Sequence, residues 1–274
     1  TVGGTAVGSV SGVSAASGVD VVKVGNANAQ GATGRTPKIT KRVHNYNYTQ
    51  ILRNNWEFSE SDLAGEMYQQ DDLTLERRKK LIEHKAEIEH TLWFGRRDLS
   101  GSTGYCGGFL DYVTTNTEDV NGGLTSTIFE TFLREGFRYG SKKKVFFAAP
   151  LVQSALSSFA LGKLAPPSPD VSKWGVHTRT YQSGAGHQVD IVYLAEFQDF
   201  STSADQFGGY GFLVDMEDLR YRPLVGNGRN RDTKLLTKRQ ENDRDSTEEE
   251  YLTEFSLEIG DERKHAYLYG VTAY

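Results

Sequence analysis

From Asp71 to Phe94 the chain contains neither glycine nor proline and repeats its apolar residues at helical spacing. Leu81, Lys85, Ile88 and Leu92 recur at steps of 4, 3 and 4, with Ile82, Ala86, Glu89 and Trp93 beside them. The pattern predicts one amphipathic helix over 71–94, stopped by Gly95 at the C′ position. Its 24 residues would span about 36 Å at 1.5 Å per residue, well beyond the usual globular helix. Glu76–Lys80 and Lys79–Glu83 are i,i+4 pairs that support its wet side. A rod of this length obliges the remaining chain to lie along it or to wrap it.

The chain is lean for wrapping. Leu, Ile, Val and Phe make up 64 of 274 residues, about 23%, just above the ~20% level at which disorder sets in. The net charge of −5 is too small to enforce disorder, so the chain folds. Either a long segment stays unpacked, or the subunit is flat and completed by neighbours. Residues 1–36 hold eight Gly, eight Val, six Ala and four Ser, with only Asp20, Lys23 and Arg35 charged. No aromatic residue precedes Tyr46, so this segment cannot build its own core. It reads either as a flexible tail or as an arm ordered on another subunit, and Val19–Val24 has the β-branched character of a strand. The first residue is Thr1, and no charged segment leads into an apolar one; the expectation is a trimmed or matured chain without a signal peptide.

Residues 41–58 carry strand formers among polar residues, and Gly25–Thr40 would be the tip of a long hairpin pairing 19–24 with 42–58. Residues 95–124 are loop-rich, with one helical turn at 109–113. Thr125 caps a helix at 126–139, Val145–Ala149 reads as a buried strand, and Pro150 opens a helix at 150–161. Pro166–Pro169 is a stiff connector. Strands follow at 176–182, 188–197, 210–215 and 219–224. A basic run at 220–239 meets an acidic run at 241–250, and the chain closes as a hairpin of 251–259 with 265–271. This order of elements is that of an α+β fold.

The residues offer little chemistry. No run of about 18 apolar residues exists to form a transmembrane helix. Cys106 is the one cysteine, which excludes an internal disulfide and a thiolate zinc cage. There is no P-loop, G-x-G-x-x-G, H-E-x-x-H or G-x-S-x-G. His84, Glu87 and His90 share the long helix but do not converge, and read as a solvated face rather than a metal site. An enzyme reading would be a cytosolic hydrolase using Cys106 or a carboxylate pair such as Asp71–Asp72 or Asp215 with Glu217 and Asp218. No spacing selects a histidine for Cys106, and the carboxylates read as cap, turn and surface residues. The expectation is no catalytic residue, no metal and no cofactor. The balance of 31 basic and 36 acidic residues argues against a protein that mainly grips nucleic acid. The adjoining runs read instead as opposite-sign patches meeting across subunit contacts, with Arg229, Arg231, Lys238, Arg239, Glu248, Glu249 and Glu250 as candidate contact residues. Tyr46, Tyr48 and Trp56 are either aromatic anchors of such contacts or packing within their own sheet.

Several segments resemble the major capsid proteins of tailed phages. Asn47-Tyr-Thr-Gln-Ile-Leu-Arg53 with Trp56-Glu-Phe-Ser-Glu-Ser61 resembles the family's strand leading into its long helix. Lys79–Leu92 resembles that helix, Gly107-Gly-Phe-Leu-Asp-Tyr-Val-Thr-Thr-Asn116 the segment after it, and Tyr251–Val271 the closing strands. Ser59-Glu-Ser61 and Tyr267-Leu-Tyr269 depart from the family pattern, which bears on turn geometry. The resemblance implies the Hong Kong 97-like fold: an N-terminal arm at 1–17, an extended loop at 18–62, a peripheral domain with a spine helix at 63–124, an axial domain at 125–225, and return strands of the peripheral domain at 226–274. It implies a structural protein of the virion, assembled in the host cytoplasm into an icosahedral shell around double-stranded DNA. Its partners would be itself in hexamers and pentamers, portal, scaffold and decoration proteins, and DNA touched without sequence specificity, with no membrane. Another phage structural or tail component is the alternative within the same class.

Overall fold

The computed structural model describes residues 43–65, 72–159, 164–165, 179–197 and 207–273, with isolated positions between 29 and 41. The chain divides into two units, Thr1–His44 and Asn45–Tyr274, and every described helix and strand lies in the second. The expected strand at 19–24, most of the loop tip at 25–40 and the connector at 166–169 lie outside the described residues.

One half of the described fold is a helix on a four-stranded antiparallel sheet. Its central strand, β14 (Ser246–Ile259), is 14 residues long. Strand β1 (Gln50–Ser59) pairs with it along its whole length, Gln50 opposite Phe255 and Ser59 opposite Ser246. Strands β10 (Leu219–Pro223) and β13 (Lys234–Leu236) pair with residues 255–259 and 250–252 of β14 on its other side, end to end. Between them projects the hairpin of β11 (Val225–Gly226) and β12 (Arg229–Asn230). Its turn residues Asn227 and Gly228 have φ of 50° and 71°, the left-handed pair of a type I′ turn. After a short helix, α1 (Glu60–Ala64), comes α2 (Asp72–Phe94), within one residue of the predicted span. The inward stripe of α2 differs from the expected one. Ile82 is 59% exposed and Lys85 is exposed, while His84 is fully buried. The helix is rotated so that Arg77 and His84 face the sheet.

The other half is a seven-stranded mixed sheet ordered β4-β15-β9-β5-β8-β7-β6. Its strands are β4 (Thr117–Gly123), β5 (Lys143–Ala148), β6 (Leu164–Ala165), β7 (Arg179–Gln182), β8 (Gln188–Tyr193), β9 (Gly211–Val214) and β15 (Ala266–Ala273). The pairs β4–β15 and β5–β8 are parallel. Helices α4 (Ser126–Gly136), N-capped by Thr125, and α5 (Pro150–Phe159) bury Phe129, Phe132, Leu133, Val152 and Leu156 in a core with Phe146, Ile191, Leu213 and Leu268. A second core joins the two halves. Trp93, near the end of α2, stacks on Phe212 at 4.5 Å and meets Phe147 at 5.1 Å and Phe109 at 5.5 Å. Each such buried aromatic contributes about 1.5–3 kcal/mol over exposure.

Three expectations are corrected. Strands β14 and β15 do not form a hairpin; they belong to different sheets. The turn between them is a 3-10 segment, Glu262–Lys264, N-capped by Asp261, and it carries the chain across to β9 and β4 instead of folding it back. The strand expected at 251–259 begins earlier: residues 246–250 of the acidic run are the first third of β14. Residues 95–124 hold three strands besides the helical turn α3 (Phe109–Tyr112): β4 and the small hairpin of β2 (Asp98–Ser100) with β3 (Thr103–Tyr105). Short polar strands such as Thr-Glu-Asp-Val-Asn-Gly-Gly take their structure from the neighbour they pair with, not from propensity.

Candidate subunit-contact surface

The two faces of β14 divide its side chains by parity. Odd residues face α2 and even residues face away. On the α2 face, Arg77 grips Glu249 with two hydrogen bonds, both 2.6 Å, and the carboxylate is 2% exposed. Two helical turns on, the His84 ring lies between Asn54 of β1 and Thr253 of β14, with Nε2 2.6 Å from the Thr253 hydroxyl. The Asn54 amide donates to Glu87, so its oxygen accepts from His84 Nδ1. Burial lowers the His84 pKa, which keeps the ring neutral and leaves Nε2 to accept. The long helix is thus docked through polar contacts over Arg77–His84 and through aromatic packing at Trp93. This is where the shortage of apolar residues is absorbed.

The opposite face carries a row of carboxylates, three of them matched to arginine. Glu250 pairs with Arg53 at 2.5 Å and Arg239 at 3.0 Å. Glu254 pairs with Arg231, and Glu258 with Arg222 and with Arg220 at 3.7 Å. Glu248 accepts from Asn55 at 3.2 Å. The opposite-sign runs therefore meet within one chain. Glu249 and Glu250 are buried and already paired, so they are not free contact groups, and Arg231 and Arg239 are engaged with the same strand. Opposite charges across neighbouring strands stabilise a sheet, which is how so acidic a sequence becomes strand. Arg229 and Lys238 remain exposed, and Lys238 holds a left-handed φ of 58°.

The aromatic candidates separate as well. Trp56 is 7% exposed and packs on Tyr251 at 5.3 Å, inside the sheet–helix layer. Tyr46 is 62% exposed, yet fixed: its carbonyl accepts from Arg97 at 2.7 Å and the Tyr112 hydroxyl at 2.8 Å, and the Arg97 guanidinium lies 4.7 Å from its ring centre. Tyr48 is half-buried and meets Tyr46 edge-on at 5.5 Å. Open grooves of about 220 and 480 Å³ flank this segment, the larger lined by Tyr48, Ile51, Arg53, Leu99 and Tyr105.

The Asn-Tyr-Thr-Gln motif anchors this segment. Asn47 Nδ2 donates to the carbonyls of Gly107 at 2.9 Å and Leu257 at 3.0 Å, and its oxygen accepts from Gly107 N–H at 2.8 Å. The Tyr48 carbonyl accepts from Ser256, Thr49 donates to Glu254, and Gln50 accepts from Cys106 N–H. Gly108 N–H donates to Gly95 at 2.7 Å, and a Cβ at Gly108 would lie 2.7 Å from both the Gly95 nitrogen and the Thr91 carbonyl oxygen. The glycine pair exists for that close approach. Only the resemblance singled out Asn47; composition and periodicity gave no sign of it.

The groups weighed for chemistry have structural work. Cys106 is fully buried, and burial pushes its thiol pKa up, away from the thiolate that attack requires. His84, expected on a solvated face, is instead the buried contact described above. Burial works against the Asp215 carboxylate, yet the N–H groups of Ser141 and Glu217 hold its pKa below the usual range. Asp218 accepts from Asp261 N–H at 2.6 Å and pairs with Lys264 at 3.0 Å. Lys144, missed in the sequence, is fully buried and donates to the carbonyls of Gly136, Tyr139 and Lys264, capping α4; burial lowers its pKa to about 8. His265 accepts from Asp215 N–H at 3.2 Å, and burial lowers its pKa to about 4. Among the described residues no three His, Cys, Asp or Glu side chains are grouped to hold a metal ion.

A family model described as SU10 major capsid protein matches residues 7–272. No curated protein matches the chain. The holo-SrpI encapsulin complex from Synechococcus elongatus is similar in structure, with a TM-score of 0.57 and 14% identity over 82% of this chain and 76% of that one. The satellite phage P4 procapsid including size determination (Sid) protein gives 0.51 at 10% identity over 93% and 88%. A prophage capsid protein from E. coli gives 0.52 at 10% over 82% and 77%. At these identities the likeness establishes the fold alone, one that encapsulin and phage capsids share.

Proposed function

Because the chain belongs to the SU10 major capsid protein family, matched over residues 7–272, we propose that it is the repeating tile of an icosahedral phage head enclosing double-stranded DNA. Membership makes it a structural protein of the virion capsid, built into a shell from copies of itself. The fold is α+β and Hong Kong 97-like. The finer reading is ours. Copies form hexamers and pentamers, portal, scaffold and decoration proteins join the shell, DNA meets its inner surface without sequence specificity, and the chain performs no catalytic step.

The domain assignment is part of the same proposal. The arm is 1–17 and the extended loop 18–62. The helix α2 with strands β10, β13 and β14 is the peripheral domain, on which β1 at the end of the loop pairs, and α4, α5 and the seven-stranded sheet are the axial domain. Strands β4 and β15, at residues 117–123 and 266–273, go with the axial sheet they pair in. The match over nearly the whole chain carries this reading. Electron microscopy of the purified full chain tests it: closed particles of uniform diameter are expected, and monomers or amorphous aggregate would overturn it. Deleting residues 1–36 should leave a soluble chain that forms no shells; normal shells would refute the arm and loop assignment.

A further inference from the structure

The arginine–carboxylate pairing of β14 leaves a remainder. Arg229, Lys234 and Lys238 are exposed and have no ion-pair partner among the described residues. They lie along β13 and its preceding hairpin, where no described strand pairs on the side away from β14, from about the level of Glu254 to that of Glu248, about 20 Å at 3.3 Å per residue. Apolar side chains stand among them: Val225 is 64% exposed and Leu224 41%. Lys238 sits in a left-handed conformation, φ 58°, that glycine or asparagine would occupy at lower cost. Directly after the strip, the turn at 241–245 exposes Glu241, Asp243 and Asp245; Arg244 within it is turned aside to Glu57 at 3.1 Å.

We propose that the strip and the turn form a self-complementary contact between two copies of this chain. Each copy lays its acidic turn on the other's cationic strip. A cationic strip and an acidic turn side by side on one edge satisfy each other when a second copy is rotated by half a turn about an axis between them. The exposed Leu224 and Val225 then supply the apolar centre, and the charges the rim and the register. The inference rests on the shell-building reading and specifies one of the contacts that shell would use.

Charge exchange tests it. One variant carries Arg229→Glu, Lys234→Glu and Lys238→Glu; a second carries Glu241→Lys, Asp243→Lys and Asp245→Lys. Each is expected to melt within a few degrees of the wild type and to lose at least tenfold in particle yield on a sucrose gradient. A chain carrying all six changes, and an equimolar mixture of the two triple variants, are expected to recover particles. Wild-type yields from either triple variant overturn the contact, as does failure of both the six-fold variant and the mixture. Normal particles with reduced bound nucleic acid place the strip against DNA and also overturn it. Lys238→Gly relieves the backbone and keeps the fold, and should lower the salt concentration at which particles dissociate; an unchanged midpoint counts against the proposal. A wild-type chain that forms no particles refutes the shell reading itself, which keeps the two failures distinct.

Discussion

Replacing Arg77 with methionine tests how the long helix is held. Arg77 and Glu249 share two 2.6 Å hydrogen bonds, but their side chains are 34% and 2% exposed. The asymmetry makes the two single variants unequal. Arg77→Met keeps most of the apolar stem and strands a buried carboxylate, at a cost of about 3–5 kcal/mol. Glu249→Gln keeps an acceptor, and the partly exposed guanidinium can turn to water, so about 1 kcal/mol is expected. Arg77→Met with Glu249→Leu removes both charges and should be near neutral or more stable than wild type. At about 2–4 °C per kcal/mol for a chain of this size, Arg77→Met alone should lower the melting temperature by about 6–20 °C. Circular dichroism melts of the unassembled chain measure all three. Equal losses for both single variants, or a double variant as unstable as Arg77→Met, would refute the view that this pair docks the helix.

Asn47→Ala should cost about 1–3 kcal/mol, because it removes the amide that ties the segment before β1 to Gly107 and Leu257; limited proteolysis should then cut near residue 47 faster than in the wild type. His265 has a folded pKa of about 4 against an ordinary 6.5, so the unfolded chain binds the extra proton between those values. Its contribution is intact above about pH 6.5 and is lost as the pH falls toward 4, about 2 kcal/mol of it by pH 5, read as a falling urea midpoint that His265→Gln should flatten. Gly108→Ala should yield insoluble or unfolded chain, since the new Cβ would meet backbone atoms of Gly95 and Thr91 at 2.7 Å; a soluble variant with a native melt would refute that crowding.

The parts legible in the sequence are those whose periodicity is apolar. Helices α4 and α5, strand β5 and the extent of α2 fall close to where the spacing puts them, because Phe129, Leu133, Phe146 and Leu156 repeat against one core. The rotation of α2 was not legible: its inward residues are Arg77 and His84, which read as solvent-facing unless their partners are known. The same holds for β14, whose first residues Ser-Thr-Glu-Glu-Glu look like a surface run until Arg77, Arg53 and Arg239, distant in sequence, arrive beside them. The opposite charges of the two runs were legible, but not that Glu249 and Glu250 find their partners within the same chain. Short strands such as β4, β11 and β12 have no signal of their own beyond the Asn227-Gly228 turn.

The two polar contacts of α2 also act as a gauge. An apolar stripe would let a helix slip by one turn, about 5.4 Å, and meet an equivalent set of leucines. Arg77 and His84 stand seven residues apart and engage Glu249 and Thr253, two marks on a rigid strand, so a slip breaks both contacts at once. The helix therefore has one permitted position along the sheet. A closed lattice needs pieces of identical length far more than it needs stable ones, because an error in one edge is passed to every neighbour around the ring.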